Sequence, residues 1–161
     1  MTEELDQEAH FHRKFAVESF NDVWDLLEKP DRTVEDDDSM LHAAHASRYH
    51  WEKIGQPVNL ARGEWQVARV YTTLNRPKCA LYHARRSLEI CEQFNIGDFD
   101  LAFAYEALSR AYAMDNKFIE YNYYLRMAHQ SGQKIAEEDD REHFFKELST
   151  INIGSASSSD D

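Results

Sequence analysis

The chain has 161 residues, 42% of them apolar and 30% charged, with a formal net charge of −12. That length suits one domain with a substantial buried core. The acidic excess argues against general nucleic-acid binding and against attraction to an anionic membrane.

Five glycines and three prolines leave few breaks, and the composition favours a mainly helical globular protein. No apolar run approaches the roughly 20 residues that span a bilayer. The first residues, MTEELDQEAH, lack the basic-then-apolar order of a secretory signal. Two cysteines, Cys79 and Cys91, fall on one predicted helix, about 18 Å apart at the helical rise and so beyond disulfide reach. A reduced, cytoplasmic protein is the expectation.

Residues 1–6 are expected to fray. From residue 7 to about 29, Phe11, Phe15, Val17, Phe20, Trp24 and Leu27 give a helical face that Pro30-Asp31 ends. Thr33 suits an N-cap, and Glu35, Asp36, Asp37 and Asp38 suit a helix N-terminus electrostatically. A cation site built from those acids would lack the Asp and Gly spacing of a calcium loop. The second helix, residues 35–54, offers Met40, Leu41, Ala44, Ser47, Trp51 and Ile54, with Gly55 as its stop. Together these two helices form a degenerate leading hairpin over residues 7–55.

Residues 59–95 carry the clearest pattern. Leu60, Val67, Ala68, Tyr71 and Leu74 recur at helical spacing, Asn75-Arg76-Pro77 breaks the run, and Ala80, Leu81, Ala84, Leu88 and Cys91 follow. Small residues at 80, 84 and 87 let two helices approach closely, which predicts an antiparallel hairpin. A second copy covers residues 99–136, with Tyr105, Leu108, Ser109, Tyr112, Phe118, Leu125 and Ala128. A terminal helix over 137–151 places Phe144, Phe145, Leu148 and Ile151 inward to cap the array. The tail, residues 152–161 (NIGSASSSDD), has nothing to bury and is expected to be disordered.

Ala68, Tyr71, Ala80, Ala84 and Ser87 give residues 61–94 a resemblance to the tetratricopeptide repeat, a 34-residue helix–turn–helix unit. Trp65 sits one place late and Glu92 replaces the closing proline. Tyr71 to Tyr112 is 41 residues, so the segment around 95–100 must lengthen a helix or a connection. Tyr121 stands where the family has alanine, which predicts looser or shifted packing of the second hairpin. The resemblance implies an all-α fold of about seven antiparallel helices in a right-handed α-α superhelix. It also implies a concave groove lined by the first helix of each unit: Arg62, Trp65, Arg69 and Thr72, then Phe103, Glu106, Arg110 and Ala113.

The expected function is that of a non-catalytic protein- or peptide-binding module, a scaffold, adaptor or regulatory protein, with no cofactor implied. Across residues 60–93 six basic residues (Arg62, Arg69, Arg76, Lys78, Arg85, Arg86) stand against three acidic ones (Glu64, Glu89, Glu92). Arg62 and Arg69 flank Trp65 on one helix face, where two guanidiniums and an indole suit a carboxylate and an apolar side chain of an acidic segment. The bland counterpart is pairing of these arginines with the protein's own acids. Three rivals remain: a metal site at His42 and His45, a small-molecule pocket around Trp24, Trp51 and Trp65, and a structural module that merely oligomerises. His-Glu-x-x-His, Glu-x-x-His, phosphate-loop and nucleophile-elbow motifs are absent. Cys79 is read as a small core residue before a redox thiol, and Tyr121, Tyr123 and Tyr124 offer a surface for a homodimer.

Overall fold

The computed structural model describes residues 1–153. Seven helices make up the described chain: α1 (Thr2–Glu28), α2 (Val34–Ile54), α3 (Pro57–Thr73), α4 (Pro77–Gln93), α5 (Asp98–Met114), α6 (Phe118–Gln133) and α7 (Glu138–Leu148). No strand occurs among the described residues. The all-α class and the hairpin order expected from the sequence are both present. Residues 154–161, most of the tail expected to be disordered, lie outside the described residues.

The closest pairings are α1 with α2, α3 with α4, and α5 with α6, so the chain is three successive hairpins with α7 laid against α5 and α6. The odd-numbered helices also touch in series, α1 to α3 to α5 to α7, whereas the backbones of α2, α4 and α6 stay apart, with α2 and α4 meeting only where the His45 and His83 rings touch. The odd helices therefore form one layer, the inner one in that α2, α4 and α6 lie outside their series of contacts.

Small residues set the hairpin spacing. The buried Ser47 hydroxyl of α2 donates to the Ala16 carbonyl of α1 at 2.8 Å, and the buried Ser87 hydroxyl of α4 donates to the Ala61 carbonyl of α3 at 2.9 Å. The first hairpin thus uses the same tie as the second. At the corresponding positions of the third, Ala102 and Ala128 are both fully buried.

The turns repeat as well. Asn75 (φ 57°) and Asn116 (φ 56°) adopt the left-handed conformation that asparagine tolerates. The following amides, Arg76 and Lys117, close back onto the Tyr71 and Tyr112 carbonyls at 2.8 and 3.0 Å. This is the Schellman arrangement that satisfies the last carbonyls of a helix. The α4–α5 connection turns likewise on Asn95 (φ 53°), and with helices of 17 residues on either side it accommodates the 41-residue spacing.

Some expectations need correcting. α1 begins at Thr2 rather than at residue 7, with Glu3 and Glu4 in a first turn whose positive dipole end they complement. Gly55 does stop α2, in an extended conformation (φ −85°), and a Cβ there would lie 2.6 Å from the Trp51 carbonyl oxygen. α5 and α6 pack as extensively as α3 and α4 despite Tyr121, which is buried. Five buried alanines and Ser109 on α5 make its room. Cys79 is exposed, because the neighbouring Ala80 takes the inward position.

The core falls into three clusters in order along the hairpins. Val23, Met40, Ala44, Val67 and Val70 join the first hairpin to α3. Ala68, Ala84, Leu88, Cys91 and Leu108 join the second hairpin to the third. Phe103, Ala128, Ile135, Phe144 and Leu148 seat α7.

Candidate binding site

Between α1, α3, α5 and α7 the inner layer leaves a cavity of about 150 Å³. Its apolar walls are Phe20, Trp24, Trp65, Phe99 and Phe103, with Ala61 as the only aliphatic side chain among them. Trp65 sits between Trp24 and Phe103, with ring centroids 5.6 and 5.4 Å away. Phe99 and Phe103, one turn apart on α5, have centroids 4.6 Å apart at 51°. Phe20 meets Trp24 edge-on at 6.1 Å. The Trp65 indole N–H is buried and finds no hydrogen-bond partner.

Arg62 and Asp100 form the polar part of the wall. The guanidinium donates from Nε to Oδ1 at 2.7 Å and from Nη2 to Oδ2 at 3.1 Å. These bonds, against the opposing effect of burial, raise the Arg62 pKa above its already high value. The pair is bidentate and neutral as a unit. His143 of α7, exposed, completes the lining.

A second, polar recess of about 380 Å³ lies farther along the same layer, lined by Arg69, Thr72, Arg110, Ala113, Thr150 and Asn152 among others. Arg69 and Arg110 stand 41 residues apart, at equivalent places in the two repeats. Arg69 Nη2 donates to Glu147 of α7 at 3.2 Å, with Glu106 3.9 Å from Nη1. Arg110 Nε donates to Glu106 at 2.6 Å, and its Nη2 donates to the Glu147 carbonyl and the Thr150 hydroxyl. Burial, then the charge of Arg110, lower the Arg69 pKa against the pull of Glu106 and Glu147. The Thr72 hydroxyl is turned to its own helix, donating to the Arg69 carbonyl at 2.8 Å.

The residues expected to line the groove therefore separate into two groups, with Ala113 also at the recess and Glu106 bonded to Arg110. Arg62, Trp65 and Phe103 meet at the cavity; Arg69, Thr72 and Arg110 meet at the recess. Every one of the three arginines already holds a carboxylate. Of the three tryptophans, Trp24 and Trp65 share the cavity. Trp51 is not in its lining but borders an adjoining pocket with Val17, Phe20, Asn59 and Arg62, and lies under the Arg13 guanidinium at 5.6 Å. Sequence reasoning missed Phe20, Phe99, Asp100 and His143. The Phe99-Asp100 and Phe103 spacing on one helix was the available signal.

The histidines belong to a different network, between α2, α3 and α4. His45 Nε2 is hydrogen-bonded to the Tyr71 hydroxyl at 3.0 Å, and Tyr71 stacks on His83 with centroids 5.6 Å apart. His83 Nδ1 donates to the buried Glu64 at 2.6 Å, and Arg48 Nε donates to its other oxygen at 2.9 Å. His42 is exposed and outside these contacts. Among the described residues no three His, Cys, Asp or Glu side chains are grouped to hold a metal ion. Burial, with Asp100 and Glu92 adding to it, pushes the Cys91 thiol up to about 11, which disfavours its thiolate.

No protein-family model, curated protein or solved structure matches this chain. No helix among the described residues is long and apolar enough to cross a membrane.

Proposed function

We propose that the protein is a non-catalytic binding module of tetratricopeptide-repeat type, a scaffold or adaptor that holds a peptide segment along its odd-numbered helices. The observation that carries this reading is the aromatic cavity in that layer. A cavity near 150 Å³ holds a group about the size of benzene, the scale of one anchoring side chain. The repeated asparagine turns, the paired serine ties and the family-like positions Tyr71, Ala80 and Ala84 support the repeat type.

The weight of the site rests on the aromatic cavity rather than on the arginines. Arg62, Arg69 and Arg110 are each matched by an internal carboxylate, so a carboxylate-bearing segment must displace Asp100, Glu106 or Glu147 to reach them. A free small molecule in the same cavity is the second reading, favoured by the enclosure of its aromatic walls.

Selection from a random peptide display library tests the proposal. Recovered peptides are expected to share one apolar or bulky anchor. They should lose binding to His143→Trp, which sets a large ring at the cavity lining from an exposed position and leaves the melting temperature unchanged. Recovered peptides that bind wild type and this variant alike would place peptide binding elsewhere.

A further inference from the structure

We propose that the cavity is a cage for a methylated ammonium group, the cationic end of a trimethyl-lysine side chain or of a small quaternary amine. The inference rests on the cavity reading above and adds the chemistry of the occupant.

Three observations point to a cation rather than a neutral apolar group. First, the walls are aromatic throughout: Phe20, Trp24, Trp65, Phe99 and Phe103, with no leucine, isoleucine, valine or methionine. The core beside it uses Leu88, Ile90 and Leu108, so aliphatic side chains are not scarce in this fold. A neutral anchor is served by any apolar wall, whereas aromatic rings add a negative quadrupolar face that attracts a cation. Ring pairs along the wall are tilted rather than parallel, at 77° for Trp65 with Phe103, 72° for Phe20 with Trp24, 51° for Phe99 with Phe103 and 34° for Trp24 with Trp65. Rings so tilted enclose a space instead of stacking it shut.

Second, the wall includes a carboxylate. Asp100 is engaged by Arg62, and both line the cavity. The guanidinium charge is cancelled by the same two hydrogen bonds, so the wall presents no net positive charge to a cation as long as Asp100 is in place.

Third, two of the four helices around the cavity are strongly acidic. α1 carries eight acidic residues against two basic, and α7 five against two. The field of a chain with net charge −12 concentrates cations at such a place. A trimethylammonium group with its adjoining methylene is of benzene-like size, which matches the cavity of about 150 Å³.

The test titrates four probes into the full chain and follows the Trp65 indole N–H by NMR. Choline is compared with its uncharged isostere 3,3-dimethylbutan-1-ol. A tripeptide bearing trimethyl-lysine is compared with one bearing the corresponding neutral carbon analogue. Both cations are expected to bind roughly tenfold or more tightly than their neutral partners. A trimethyl-lysine peptide that binds well above choline identifies a protein segment as the source; equal affinities identify a free amine. Two variants separate charge from shape. Asp100→Asn should weaken the cations and spare the neutral analogues. Trp24→Leu keeps the wall apolar, removes one ring face and should do the same. Neutral analogues binding as tightly as the cations overturn the ammonium assignment and leave the apolar-anchor reading standing. Binding of none of the four overturns the assignment as well, and the peptide selection then decides the broader reading independently.

Discussion

At the scale of single residues the most constrained group is Glu64, a buried carboxylate held by His83 at 2.6 Å and Arg48 at 2.9 Å. Burial pushes its pKa up, but the His83 and Arg48 interactions outweigh burial and leave it below the ordinary 4.5. Glu64→Gln should cost about 2 kcal/mol, because a charged hydrogen-bonding partner is removed from a half-buried arginine. Differential scanning calorimetry should show a fall of roughly 4–8 °C for a chain of this size. His45 in the same network has a pKa below the ordinary 6.5, through burial and then the nearby charge of His83, with Glu64 opposing and His42 adding. A depressed folded pKa means that the unfolded chain takes up the proton first as pH falls. Stability linked to His45 is therefore full above about 6.5 and is lost as pH drops through its folded pKa; the Glu64 contribution follows below about 4.5. His50, depressed by burial and then by His12, acts in the same direction as His45. The melting temperature should fall from pH 7 toward 5, and His45→Gln should flatten that slope; an unchanged slope would remove His45 from the account.

Elements show where sequence was legible and where it was not. Pro77 at the start of α4 and Thr33 as a cap were readable because each acts through its immediate neighbours. Thr33 Oγ1 accepts from the Asp36 amide at 3.1 Å and Asp36 returns the bond to the Thr33 amide at 3.0 Å, a complete capping box. Asn75 and Asn116 are equally local in origin, and the left-handed geometry they share predicts their behaviour. Asn75→Ala should lose about 1 kcal/mol in urea titration, while Asn75→Gly should lose little or nothing. The seating of α7 was legible only in outline: Phe144 and Leu148 were expected inward and are buried. The reason it docks on α6 was not, because it depends on Gly132. A Cβ there would overlap the Phe144 ring and lie 2.9 Å from Phe145 Cζ. Gly132→Ala should therefore destabilise by about 1–3 kcal/mol through overpacking, and hydrogen exchange should quicken first in α7 and the end of α6.

Across the whole molecule, charge explains why the site was only half visible beforehand. Arg62, Arg69 and Arg110 look like a basic surface when summed along their own stretch of chain. Glu106 stands one turn before Arg110 on α5 itself, an i,i+4 pair that sequence spacing does show; Asp100 and Glu147 come from other helices, 38 residues from Arg62 and 78 from Arg69. No local pattern reports such a pairing, whereas Trp65 and Phe103 announce an aromatic layer by residue type alone. The recess at Arg69 and Arg110 is balanced in charge by α5 and α7 together. Glu106 balances one arginine and Glu147 the other. Glu147→Gln removes one of these negative charges while Arg110 keeps its bonds to the Glu147 carbonyl and to Thr150. A short polyglutamate peptide should then bind the variant at low salt, several-fold more tightly than it binds wild type, and lose that gain at high salt. Equal weak binding by both proteins would mean that the overall charge of −12, rather than Glu147, excludes acidic ligands from this face.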